Sequence, residues 1–267
     1  MLLIAFSISF IIVDADIKII HYAENEFGKL WVYEQQDLRC LSFVEPDTFI
    51  DKQTCISLIN PLKVTFAYHS MALSGLFINK KPPQKVLMLG LGGGLLAKQL
   101  RYLLPTSEID LVEINPNVVR VANELFFFRE DKKIKIHIKD GIDFVDEAIQ
   151  RSKSYDFIIL DAFDSKYIPP KFLSAEFINK VKSLLTLNSV VVANTFSKSP
   201  TAELELALFT NAFGNIYQLK EANRVILAKK GELPTYQEIA ENSKSWQQSM
   251  DALEINTTNV IKDIKSF

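Results

Sequence analysis

Two carboxylates stand three positions apart in Asp161-Ala-Phe-Asp164, directly after the apolar run Phe157-Ile-Ile-Leu160. Acids this close on a loop after a strand can bind a cationic amine, and one of them can take a proton from it. That matters wherever an amine is the nucleophile, because near neutral pH an amine is mostly protonated and has no lone pair to aim at carbon. A carboxylate in a partly dry pocket attracts the cation, orients it and accepts its proton. The competing reading is an ordinary polar loop that caps the next helix.

Three further strand ends carry residues suited to a nucleoside. Gly90-Leu-Gly92-Gly-Gly94 follows the apolar run Val86-Leu-Met-Leu89. Glycines there let the backbone turn sharply and come close to a ligand, and the next helix points free N–H groups at the same place. Glu113 ends a second strand nineteen positions after Gly94, a separation at which an acid can accept from both ribose hydroxyls. Asp140-Gly141 ends a third strand; its carboxylate can accept from an adenine amino group, cap the following helix, or do both. A nicotinamide dinucleotide is the rival ligand. Counting Gly-x-Gly-x-x-Gly from Gly90 puts the bulky Leu95 at the third small position, whereas counting from Gly92 puts Ala97 there, so the loop alone does not decide.

The elements that must position these residues follow from apolar periodicity. Residues 17–22, 29–33 and 39–44 read as short strands of a hairpin domain, and 65–77 as a helix leading to Pro82-Pro83. Beyond it, strands at 85–89, 108–114, 134–138, 157–161 and 189–193 alternate with helices at 95–104, 118–126, 142–149, 174–185 and 201–213. Asn115-Pro116 is a cap followed by a first-turn proline. Such alternation predicts a parallel sheet with helices on both faces. The last two strands, 215–219 and 224–228, have only a short turn between them, too little for a parallel crossover, and must be antiparallel. The expected fold is α/β, a Rossmann-like S-adenosylmethionine-dependent methyltransferase fold with a seven-stranded sheet and a small N-terminal β-hairpin domain. A helix-free closing pair also leaves no room for the second half of a dinucleotide site. The expected divisions are an apolar segment at 1–15, the β-domain and linking helix at 16–80, the nucleoside-binding domain at 81–230, and a polar tail at 231–267 read as a surface helix pair.

Bulk properties exclude some partners. With 23% charged residues, a net charge of -2 and both signs mixed throughout, the chain has no field to attract nucleic acid or an anionic membrane. Cys40 and Cys55 lack metal-ligand spacing and the three histidines are scattered, so no metal site is expected. One disulfide stays open; a disulfide scaffold does not. Residues 2–13 are almost wholly apolar. The run is too short for a membrane-spanning helix of about 20 residues, and it lacks a preceding cation and a small-x-small cleavage site. Both a buried element and a membrane-directing segment fit it. The expected location is cytoplasmic, with any membrane association confined to residues 1–13.

Taken together, the blocks Lys85-Val-Leu-Met-Leu-Gly-Leu-Gly-Gly-Gly94, Asp110-Leu-Val-Glu-Ile114, Lys139-Asp-Gly141 and Tyr155-Asp-Phe-Ile-Ile-Leu-Asp-Ala-Phe-Asp164 resemble the spermidine synthase (polyamine aminopropyltransferase) family. The resemblance runs over about residues 27–229. It implies transfer of an aminopropyl group from decarboxylated S-adenosylmethionine to an amine such as putrescine, no prosthetic group, and a homodimer. It also implies that Asp161 is the catalytic base, that Asp164 holds the acceptor amine, and that Tyr68, His69 and Gln53 help line the amine pocket.

The departures are specific. Gly93 stands where the family's glycine loop carries an Asp for the donor's amino end, and Ser70 where a Glu follows the Tyr-His pair. Gly28 replaces an expected Gln, and Ser165-Lys-Tyr-Ile-Pro-Pro170 replaces a Gly-Pro-Ala-Glu stretch. The pattern is closer to a divergent spermidine synthase-like branch, some members of which are fused to membrane transporter domains. Two other readings stay open: an S-adenosylmethionine-dependent methyltransferase, and a non-catalytic nucleoside-binding relative.

Overall fold

The computed structural model describes residues 17–46, 52–162 and 168–267. The expectations placed on residues 1–13, on Asp164 and on residues 165–167 lie outside the described residues.

The chain opens with four antiparallel strands in sequential order: β1 (Lys18–Asn25), β2 (Gly28–Gln35), β3 (Leu38–Ser42) and β4 (Thr54–Ser57). The hairpins were legible from Gly28 and Asp37; β4 was not, because Thr54-Cys-Ile-Ser57 is only four residues long. Cys40 lies directly opposite Cys55 across β3 and β4, and the two form a disulfide. That closes the question left open by the spacing.

Next come α1 (Ala67–Leu73) and a 3-10 turn, Ser74–Ile78. The second layer alternates as expected: β5 (Lys85–Leu89), α2 (Leu95–Leu103), β6 (Glu108–Glu113), α3 (Pro116–Leu125), β7 (Ile134–Ile138), α4 (Gly141–Gln150), β8 (Tyr155–Leu160), α5 (Ala175–Leu184), β9 (Leu185–Phe196), α6 (Ala202–Phe213), β10 (Tyr217–Lys220) and β11 (Asn223–Lys229). Helix starts follow local chemistry. Asn115 accepts from the Asn117 N–H ahead of a first-turn proline, and Ser174 accepts from the Phe177 N–H.

The sheet runs β12-β10-β11-β9-β8-β5-β6-β7, where β12 is the two-residue strand Lys265–Ser266. Strands β5 to β9 pair in parallel, while β11 pairs antiparallel with both β9 and β10. The seven expected strands are thus present, and the C-terminus adds an eighth at the edge. Strand order reverses between β5 and β8, whose residues Leu89 and Leu160 are in register. Ligands of open α/β sheets bind at that switch point.

The tail corrects one expectation. Three short helices, α7 (Tyr236–Lys244), α8 (Gln247–Asp251) and α9 (Thr257–Asp263), replace the expected surface pair. These helices and the turns that join them bury Ile239, Trp246, Met250, Leu253, Ile255 and Ile264 in the main core. Each helix contributes only one or two apolar anchors, too few to show as a periodic stripe in a polar segment. The N-terminal sheet is docked through Leu30, Val32, Leu41 and Ile56 against Leu95, Val118, Val121 and Phe126. That contact holds β4 against the loop after β5. Among the described residues no helix is long and apolar enough to cross a membrane.

Candidate active site

The tips of β5, β6, β7 and β8 open into one cavity of about 1020 Å³. That is the upper end of the range for small-molecule sites, with room for a nucleoside and a second substrate. Gly90, Gly92, Glu113, Asp140, Gly141 and Asp161 all line it. So do Gln53, Tyr68 and His69, from the chain leading into β4 and from α1. Gly94 does not; it caps α2 with φ +76° against the Phe128 ring, so its part in the loop is to turn the chain.

Gly90 is the close-approach residue. Its φ is +95°, and a Cβ there would sit 2.1 Å from the Asp161 carbonyl oxygen. The Asp161 N–H donates to Leu89 O at 2.8 Å. The first glycine therefore exists partly to let the β8 tip pass beside β5 at the switch point.

Glu113 is held by main chain. One carboxylate oxygen accepts from the Leu91 N–H at 3.1 Å and the other from the Asn115 N–H at 2.9 Å. Burial pushes its carboxyl up, and the backbone N–H groups offset that in part. Asp140 caps α4 through the Ile142 N–H at 2.8 Å, and its other oxygen pairs with Lys171. Burial alone would raise it, but Lys171 and the cap hold it below the usual carboxylate range.

Asp161 is held by side chains. Its Oδ1 accepts from Asn194 Nδ2 at 2.8 Å, and its Oδ2 faces the Tyr68 hydroxyl at 3.4 Å. Burial pushes its carboxyl up to about 7, against the lowering effect of Asn194 and Tyr68. Burial and the Asp161 charge push the Tyr68 hydroxyl well above its ordinary value. His69 packs edge-on to Tyr68 with ring centroids 4.4 Å apart, while its Nδ1 is engaged by Gln99 Oε1 at 3.0 Å. Burial lowers His69 to about 4, so it is neutral near pH 7 and backs the tyrosine. Gln53 borders the cavity on the chain leading into β4, with its N–H on Leu41 O.

Three residues of this site escaped the sequence reading. Asn194 lies in β9 and Asn223 opens β11; no local motif marks either one. Thr54, in β4, accepts from the Gly93 N–H at 3.1 Å. A Cβ on Gly93 would meet Thr54 Cγ2 at 2.8 Å and the buried Phe126 ring at 2.9 Å. The space that a loop acid would need is filled.

A parallel sheet closed by an antiparallel pair, with a nucleoside-sized cleft at its switch point, is the S-adenosylmethionine-dependent methyltransferase-like class of α/β fold. The spermine/spermidine synthase domain matches residues 65–255, and the chain belongs to that family. It is 35% identical to the polyamine aminopropyltransferase of Vibrio vulnificus over 247 residues, covering 90% of this chain and 82% of that one. A probable spermidine synthase from Corynebacterium glutamicum shares the fold with a TM-score of 0.70 at 19% identity, covering 91% of this chain and 92% of that one. Human methyltransferase-like protein 13, solved with SAH, has a TM-score of 0.65 at 25% identity over 70% of this chain and 93% of that one. The expected family is therefore confirmed, with methyltransferases as structural kin.

Proposed function

We propose that this chain is an aminopropyltransferase that moves the aminopropyl group of decarboxylated S-adenosylmethionine to an amine such as putrescine. The observation that carries this reading is Asp161: a half-buried carboxylate with an affinity for protons near neutrality, between Tyr68 and Asn194, in the cavity whose other end holds Glu113 and Asp140.

In this reading the nucleoside enters first. Glu113 accepts the ribose hydroxyls with the carboxylate lone pairs that its main-chain N–H partners leave. Asp140 accepts from the adenine amino group with the oxygen that Lys171 holds in the free protein. The amine then docks at the Asp161 end, assisted by Asp164. Asp161 takes one proton from the ammonium. The freed lone pair attacks the propyl carbon next to sulfur. The carbon–nitrogen bond forms as the carbon–sulfur bond breaks, and its electron pair neutralises the sulfonium to give methylthioadenosine. Because the sulfonium is a good leaving group, most of the acceleration comes from positioning and from supplying a neutral amine.

A methyltransferase is the second reading, favoured by Gly93. Decarboxylated donor presents an ammonium that wants an acid, and Thr54 and Phe126 occupy the space where a loop acid would stand. Calorimetry with S-adenosylmethionine, its decarboxylated form and methylthioadenosine, followed by mass analysis of products with putrescine, separates the two. Preference for the decarboxylated donor and a spermidine product support the proposal. Preference for S-adenosylmethionine, with methyl transfer, replaces it. Size-exclusion chromatography with light scattering tests the homodimer expected from the family resemblance.

A further inference from the structure

Asn194 is a nearly buried amide, 5% exposed, and both its ends are used. Nδ2 donates to Asp161 Oδ1 at 2.8 Å, and Oδ1 accepts from Asn223 Nδ2 at 3.0 Å. The register places the two asparagines together. On the antiparallel β9–β11 pair, Val225 faces Asn194 and Asn223 faces Phe196, so the amides are diagonal neighbours on one face. Asn223 is itself fixed by the turn, since its carbonyl accepts from the Glu221 N–H at 2.8 Å and from Ser197 Oγ at 2.9 Å. Glu221, Ala222 and Asn223 all border the cavity.

We propose that Asn194 and Asn223 are positioning residues: two amides in series, poled in one direction, that hold Asp161 as a carboxylate and tie it to the β10–β11 turn. This rests on the reading of Asp161 as the base. A carboxamide donates only from nitrogen and accepts only at oxygen, so its orientation at one end sets the other. With nitrogen towards Asp161, Asn194 favours the ionised form; reversed, it would set two acceptors face to face and favour the protonated acid. The Asn223 amide group, waiting on the far side, is what keeps Asn194 from reversing.

Other groups facing Asp161 do not supply this. From α1 come the Tyr68 hydroxyl and, behind it, a neutral His69 engaged by Gln99. From β5 the Leu89 carbonyl takes the Asp161 main-chain N–H. Glu113 lines the same cavity but is held by main-chain N–H groups, and Glu221 stands on the β10–β11 turn. Asn194 is thus the one carboxamide donor on Asp161 among the described residues.

The test is the titration of Asp161 itself, followed by carboxyl-carbon NMR on protein labelled at aspartate, without substrate, with Asp161→Asn assigning the resonance. Wild-type should titrate with a midpoint at about 7. Asn194→Ala should raise the midpoint by about one pH unit. Asn223→Ala should raise it less, and Asn223→Ser, which restores a donor, should bring it back. The acid limb of kcat/KM should move with the midpoint and the activity recover at higher pH. Midpoints unmoved in both alanine variants overturn the relay, including where activity falls equally at every pH. If the wild-type protein transfers nothing to any amine, the proposed function fails while the midpoints still judge the relay. Methylthioadenosine affinity within twofold of wild-type is the folding control, and Asn194→Ser replaces any variant that fails it.

Discussion

The two ends of the cavity hold their acids by different means. At the end proposed for the nucleoside, Glu113 is clamped by main-chain N–H groups and Asp140 by a helix start. At the end proposed for the amine, Asp161 is held by two side chains from elements remote in sequence, α1 and β9. Main-chain donors come with the turns after β5 and β6 and with the first turn of α4, and no side-chain substitution removes them, which suits a group that only binds. Side-chain donors can be exchanged singly, which suits a group whose protonation has to be set. The comparison teaches that binding is built into the fold here, whereas reactivity is adjusted on it.

Removing the charge at the amine end should have the largest effect. Asp161→Asn is expected to lower kcat/KM by roughly a thousandfold, within the range for a lost general base, while methylthioadenosine affinity stays nearly unchanged by calorimetry. The same variant should be more stable than wild-type. Asp161 has a folded-state value of about 7, raised above that of an unfolded aspartate, so the folded state binds the proton more tightly. Ionising it in place costs stability at pH 8, up to about 4 kcal/mol for a shift of this size. The cost shrinks as pH falls below 7 and is gone below about 4. Urea denaturation of wild-type and Asp161→Asn at pH 8 and pH 5 checks this, and the gap between them must narrow at the lower pH. Wild-type activity should rise through about pH 7 on the acid side.

At the nucleoside end the expected loss is in binding. In the proposed reading Glu113→Ala removes charged hydrogen bonds to the ribose, and it orphans the Leu91 and Asn115 N–H groups. Charge-assisted bonds of about 1.5–3 kcal/mol translate to a roughly 10- to 100-fold weaker affinity for any adenosyl ligand. If instead kcat falls and affinity holds, the division between the two ends is wrong. Tyr68→Phe should act in between: a severalfold loss in kcat/KM, with donor affinity unchanged, because its hydroxyl is 3.4 Å from Asp161 and makes a weak bond.

This division also explains what could be read from the chain alone. Strand ends in a parallel sheet converge by topology, so Gly90, Glu113, Asp140 and Asp161 could be assigned to one cleft from periodicity and spacing. Thr54, Asn194 and Asn223 could not. Thr54 belongs to a four-residue strand, and the asparagines sit at strand positions where an amide reads as ordinary polarity. Their importance comes from the β9–β11 register and from the docking of the N-terminal sheet, neither of which a local pattern encodes. The tail departs from expectation for a related reason: its anchors are spread thinly over the helices and their connecting turns and become a core only when packed on the Ser74–Ile78 turn. Asp164 and the segment after it lie outside the described residues, so their role rests on the resemblance.

Gly93 gives the finest test of the contrast, because it asks whether the nucleoside end can be adjusted like the amine end. The family resemblance suggests Gly93→Asp as a way to give the ammonium of a decarboxylated donor its acid. The surroundings argue otherwise. Any Cβ there meets Thr54 Cγ2 at 2.8 Å and Phe126 at 2.9 Å. Thr54 can turn, but Phe126 is fully buried in the cluster that docks the N-terminal sheet. Overpacking of this kind costs about 1–3 kcal/mol. Gly93→Asp should therefore unfold at lower urea than wild-type and show no gain in affinity for decarboxylated S-adenosylmethionine. Adding Thr54→Ala should return only part of the stability, since Phe126 remains and the Gly93 N–H loses its acceptor. A tenfold gain in affinity for the decarboxylated donor by Gly93→Asp alone would mean that this loop is as adjustable as the Asp161 end. The distinction between a rigid binding end and a tunable reactive end would then fail at a residue where the family resemblance implies an acid.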